Sequence, residues 1–126
     1  MRLLALSAVA ASVLVATPAA AQSMNAQAFY AMAQGLMGKG PFAFFSADYK
    51  KLKAEGTASG HAAHYQRMAA LKAGQTPRYC PASEVNGMGQ MDFLNRLGKI
   101  PQAERQRIDM VEATNRILAS KYPCKG

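Results

Sequence analysis

Two cysteines, and no others, constrain this chain more than any other feature: Cys80 sits in Tyr79-Cys80-Pro81 and Cys124 in Tyr122-Pro123-Cys124. Each has a proline and a tyrosine beside it, and together they bracket the last third of the sequence. The stretch between them reads as two short amphipathic helices with a sharp break at Ile100-Pro101. At 1.5 Å rise per residue, arms of about twelve residues are rods of roughly 18 Å, and antiparallel rods of equal length bring both cysteines to the same end. A bond there closes a loop of 44 positions. In the chain-entropy model such a loop is worth about 4 kcal/mol. Two unpaired buried thiols are the alternative.

The N-terminus favours the bond. Arg2 supplies a positive start, Leu3 to Ala16 an apolar run, and Ala19-Ala20-Ala21 a small-residue cleavage site before Gln22. This pattern is that of a secretory signal peptide over 1–21. The run is shorter than the ~20 apolar residues that span a bilayer. Thr17 and Pro18 end it, no cysteine follows for lipid attachment, and no later segment is apolar for long enough to cross. Thiols exported to an oxidising compartment pair. The expectation is a periplasmic protein, with residues 22–126 as a single helical domain and one disulfide.

Composition sets the fold class. Strand signals are nearly absent, and alanine, leucine, methionine, lysine and glutamine dominate, all of them helix formers. Ser23 or Asn25 is placed to cap a first helix carrying Phe29, Met32, Ala33, Leu36 and Met37 on one side, with Gly38 and Gly40-Pro41 ending it. Phe42, Phe44 and Phe45 follow, and half of that cluster is expected to plug one end of the core. Ser46 or Asp48 caps a long second helix ending near Gly74, with Tyr49, Leu52, Gly56, Gly60, Ala63 and Ala70 along one face. Tyr65, Met68 and Leu71 enter beside that face. Glycines at 56 and 60 weaken a helix, which suggests a close crossing by another one; the expected element is one helix bent or weakened there, and a break into two helices at Gly56 is the alternative. The third helix opens near Asn86 and turns Met88, Met91, Leu94 and Leu97 inward, with Phe93 at the margin and Gly98 closing it. Ile100-Pro101 starts a short helical segment through Arg107. Asp109 with Glu112 three residues later opens the last helix, which Tyr122-Pro123 stops. The expected fold is all-α: a small four-helix domain whose last two helices are closed by one disulfide, Cys80 to Cys124.

Chemistry-bearing motifs are sparse. No nucleophile elbow or serine–histidine–carboxylate grouping is legible, and Asp109 and Glu112 cap a helix more economically than they pair as acids. His61 and His64 are three apart, but no third ligand accompanies them, and zinc needs three or four. The methionines follow helical spacing, as core residues do. No cofactor, metal or enzyme activity is therefore expected.

Charge is more informative. The chain carries 15 basic and 7 acidic side chains. From Lys39 to Arg78 seven basic residues face two acidic ones, whereas from Cys80 onward seven face five. The second helix is thus the candidate anionic-partner face, with Lys50, Lys51, Lys53 and Arg67 as its contacts. Nucleic acid is excluded by export and by the lack of aromatics interleaved with the basic residues.

The order of features over about the last 48 residues resembles the Rap/Tai-type immunity proteins of type VI secretion. The residues that carry the likeness are Tyr79-Cys80-Pro81 followed by a helix, the Ile100-Pro101 break, and the final Tyr122-Pro123-Cys124-Lys125. Upstream, Gly40-Pro41-Phe42-Ala43-Phe44-Phe45-Ser46-Ala47-Asp48 and Leu52-Lys53-Ala54-Glu55 look like an exported subgroup of mostly unassigned function. The chain departs from that pattern at Gly60-His61-Ala62-Ala63-His64, where the family carries a Gly-Tyr-rich segment, and has no third cysteine. The resemblance implies an all-α periplasmic domain that binds and blocks a secreted peptidoglycan amidase effector. An envelope structural or stress protein, holding another anionic component such as cell-wall polymer or unfolded protein, is the alternative.

Overall fold

A computed structural model describes residues 23–81 and 88–125. The leader read over 1–21 and the helix start expected at Asn86 lie outside the described residues. The fold is all-α: α1 (Ala26–Met37), a 3-10 helix (Gly40–Phe45), α2 (Ala47–Lys72), α3 (Gln90–Lys99), α4 (Gln102–Arg105) and α5 (Met110–Lys121). Four of these, α1, α2, α3 and α5, correspond to the four expected helices, and α4 is one turn between α3 and α5.

The helix starts follow from local chemistry. Asn25 Oδ1 accepts from the backbone amides of Gln27 and Ala28 at 3.0 and 3.2 Å. Ser46 Oγ accepts from Tyr49 N at 3.1 Å, and Asp109 Oδ1 from Glu112 N at 2.8 Å. Each cap satisfies amides that have no partner inside the helix. The starts of α1 and α5 are also fastened to each other, since Ala26 N donates to Ile108 O at 3.0 Å and Met110 N to Met24 O at 2.8 Å.

The core gathers Phe29, Ala33 and Leu36 of α1, Leu52 of α2, Leu97 of α3, and Met110, Ala113 and Ile117 of α5. Phe93 meets Phe29 edge to face, with ring centroids 6.2 Å apart. The most extensive helix pairing is α5 on α2. It is narrow on the α2 side, where Ser59 and Ala63 are buried.

Four expectations about side-chain placement are corrected here. The phenylalanine cluster does not plug the core: Phe42, Phe44 and Phe45 are 81%, 57% and 84% exposed, and Ala43 is the buried residue. The segment is a 3-10 helix, whose three-residue turn leaves one position in three facing inward. Met37 and Met91 are exposed as well, each standing at the edge of its helix's buried stripe. On α2, Tyr65, Met68 and Leu71 face outward, because the buried line through Leu52, Ser59 and Ala63 is too narrow to include them. Finally, α2 runs unbroken through Gly56 and Gly60, but among the described residues no helix crosses there: a Cβ at either glycine meets no atom within 4 Å. The close approach falls at Gly98, where a Cβ would lie 2.8 Å from Tyr30 Oη.

The disulfide joins Cys80 to Cys124. Cys80 N also donates to Tyr122 O at 2.8 Å, so the chain leaving α2 is fixed to the chain leaving α5. At the same end Lys121 Nζ meets Asp92 Oδ2 at 2.5 Å and Arg96 Nη1 meets Ser120 Oγ at 3.1 Å. The start of α3 therefore lies beside the end of α5, the antiparallel arrangement expected of the last two helices.

Glu112 gives this arrangement a pH signature. Its carboxylate accepts from Arg78 Nη1 and Nη2 at 2.5 and 2.9 Å and from Arg116 Nε at 3.0 Å. The Arg78 hydrogen bond is the main reason its pKa falls to about 2; partial burial opposes the shift and Arg116 adds to it. A folded-state pKa below the unfolded value gives stability that is present above ~4.3 and is lost as pH falls through the folded pKa. Because the Glu112 side chain is 35% exposed, solvent screening reduces this contribution to about 1 kcal/mol. Asp92 is lowered in the same direction, first by its hydrogen bond from Lys121. Urea unfolding followed from about pH 5 down to about pH 2 is expected to show a fall in stability that Glu112→Gln makes shallower.

Candidate binding site

Small residues on three elements leave a hollow at one side of the core. Ala33 of α1, Ala43 of the 3-10 helix and Gly56 of α2 all line it, and none carries a side chain long enough to fill the space between the helices. The result is an open cavity of about 630 Å³ walled by Phe29, Leu36, Leu52, Phe93 and Leu94. Met37, Phe44 and Met91, all substantially exposed, also line it. Phe44 is held by edge-to-face contact with Tyr49, at 5.1 Å between centroids. Tyr49 Oη in turn accepts from Gln90 Nε2 at 3.0 Å, which ties α2 to the start of α3.

Charge enters at one place. Among the described lining residues Lys53 is the single charged side chain. Lys53 and Thr57 also line a shallower depression with Lys50 and His61, so the apolar hollow adjoins a basic surface. Lys50, Lys51 and Lys53 are exposed, and among the described residues none of them takes part in an ion pair. Lys50 stands in the first turn of α2, where a cation opposes the helix dipole, whereas Lys51 and Lys53 lie in the second turn, beyond its reach.

Arg67, the fourth expected contact, is not part of this group. Its Nε donates to Tyr79 O at 3.3 Å and its guanidinium lies 5.7 Å from the Tyr79 ring centroid. Tyr79 is buried beside the disulfide, so Arg67 secures the connection leaving α2 rather than presenting a free charge. His61 stands with the lysines. Among the described residues no three histidine, cysteine or carboxylate groups gather as metal ligands, and no helix is long and apolar enough to cross a membrane.

The charge count along the sequence points to the lysines, whereas the hollow has no such signal there. Its makers, Ala33, Ala43 and Gly56, are unremarkable one at a time, and only their convergence produces a cavity. A glycine inside a helix is the one local signal at this place, and it marks a gap here rather than a crossing. No family model, no curated protein and no solved structure matches this chain.

Proposed function

We propose that this chain is an exported, non-enzymatic binding protein of the immunity kind, which blocks a peptidoglycan amidase effector by covering an acidic face of it. The observation that carries the reading is the group Lys50, Lys51 and Lys53: close together near the start of α2, exposed, and without ion-pair partners among the described residues. Phe42 and Phe45 stand exposed on the preceding 3-10 helix, and aromatic anchors beside a charged rim are a common composition of protein interfaces. The disulfide and the leader motif are both compatible with export.

The test titrates the chain into a peptidoglycan amidase releasing dye from labelled cell wall. Stoichiometric inhibition is expected, with association slowing at least tenfold for Lys50→Glu/Lys51→Glu/Lys53→Glu at low salt, because charge complementarity acts mainly on encounter. Thermal stability of the variant should stay nearly unchanged, as acidic residues suit a helix N-terminus. Binding to purified cell wall that salt abolishes, with amidase activity untouched, would sink the immunity reading in favour of an anionic-polymer binder.

A further inference from the structure

We propose that the hollow between α1, the 3-10 helix, α2 and α3 is a binding site for a single-chain anionic amphiphile, a long-chain fatty acid, with its carboxylate on Lys53. This inference does not rest on the immunity reading.

Size and chemistry both lead to this class. About 630 Å³ falls inside the range of roughly 300 to 1,000 Å³ typical of small-molecule sites. The wall is built from Phe29, Leu36, Leu52, Phe93 and Leu94, which suits a hydrocarbon tail. A peptide fits it poorly. Peptide backbone brings an N–H and a C=O at every residue, and each needs a partner once it leaves water. The described wall offers few: Lys53, Thr57, and the Tyr49–Gln90 pair, whose members already bond each other at 3.0 Å.

The ligand's charge is set by Lys53. It is the one ionic group among the described lining residues, and Lys50 lies beside it in the adjoining depression. Of the carboxylates nearest in α2, Glu55 is engaged by the Met24 amide and Asp48 lies in the first turn; neither lines the hollow. An apolar cavity with a cationic margin is complementary to a molecule with a hydrocarbon tail and an anionic head.

Gly56 supplies the decisive probe. It lines the hollow, and a Cβ built there meets no atom within 4 Å. Gly56→Phe therefore puts a ring into the tail's space without a clash at Cβ, and it exchanges glycine for a better helix former. The lysine face is left as it is.

The experiment titrates dansyl-undecanoic acid into the full disulfide-bonded chain and displaces it with saturated fatty acids of increasing length. Saturable one-to-one binding is expected, each added methylene tightening it about fourfold until the hollow is filled. Gly56→Phe should weaken binding at least tenfold while helical circular dichroism is retained. Lys53→Met should weaken the carboxylate but leave the matching fatty alcohol unchanged. Four results would each overturn the proposal: no saturation, no dependence on chain length, Gly56→Phe binding like the parent, or carboxylate and alcohol responding alike to Lys53→Met. Sedimentation showing a dimer that Gly56→Phe dissociates would assign the hollow to a second copy instead, and displacement only by an amphipathic acidic peptide would assign it to a protein segment.

Discussion

Replacing Cys80 and Cys124 by serine is expected to lower folding stability by about 4 kcal/mol. The bond closes a loop spanning 44 positions, so its loss releases the unfolded chain from a long-range constraint. The native contacts at that end do not depend on it covalently. Cys80 N still has Tyr122 O, and Tyr79 stays buried under Arg67. The folded state therefore changes little, and the effect lies mostly in the unfolded ensemble. Two consequences distinguish this from damage to the core. The denaturant m-value should rise, because an uncrosslinked unfolded chain exposes more surface. The melting temperature should drop by about 20 °C, as expected for a domain of this size. The same shifts should follow when the parent chain is reduced, measured by urea and thermal unfolding. A loss below about 1 kcal/mol would show that the reduced chain keeps this end together unaided, a known reason for disulfides to contribute less than the entropy model gives.

What could be read from the sequence was mostly local or covalent. Asn25, Ser46 and Asp109 cap their helices through atoms two or three residues away, so position fixes Asp109 and narrows the other two to Ser23 or Asn25 and to Ser46 or Asp48. The cysteines pair because there are only two. Features that depend on how elements meet were not legible in the same way. The three phenylalanines carry the composition of a core plug, yet the 3-10 geometry of Gly40–Phe45 turns Ala43 inward in their place. Gly56 and Gly98 are both helical glycines; one leaves a hollow and the other admits Tyr30, and only the neighbouring helix decides which. Likewise Lys53 and Arg67 are both cations on α2, but Arg67 finds Tyr79 because the chain after Gly74 returns past it. Charge runs therefore located a candidate surface, while the division between surface and fastening required the fold.

Arg105 is the clearest case of a residue whose role is invisible in one dimension, and its replacement is the second large effect. Arg107, two positions on, is exposed, whereas Arg105 is only 6% exposed. Its Nη1 donates to Leu97 O at 3.5 Å, to Gly98 O at 3.2 Å and to Ile100 O, and its Nε to Gln27 Oε1 at 2.7 Å. The guanidinium also lies 4.2 Å from the Tyr30 ring centroid. Gly98 O is one of the last carbonyls of α3, which lack intrahelical partners and carry the negative end of its dipole; Leu97 O also accepts from Ile100 N at 3.1 Å, and Ile100 is the residue that caps the helix. Among the described residues the buried cation is compensated by these carbonyls and by the aromatic face rather than by a carboxylate. Arg105→Met keeps the bulk of the stem but leaves carbonyls at the end of α3 and Gln27 Oε1 unpaired away from water, at about 3 kcal/mol in total. Arg105→Lys should recover less than half of this, because one ammonium cannot reproduce the planar fork that spans several acceptors. Gly98 belongs to the same unit, since its missing side chain is what lets Tyr30 lie against α3 under the guanidinium. Gly98→Ala combined with Arg105→Met should therefore cost less than the sum of the two, the non-additivity of residues sharing a partner. Urea unfolding of the two single variants and the double variant measures this, and strict additivity would mean that the two positions do not act through Tyr30.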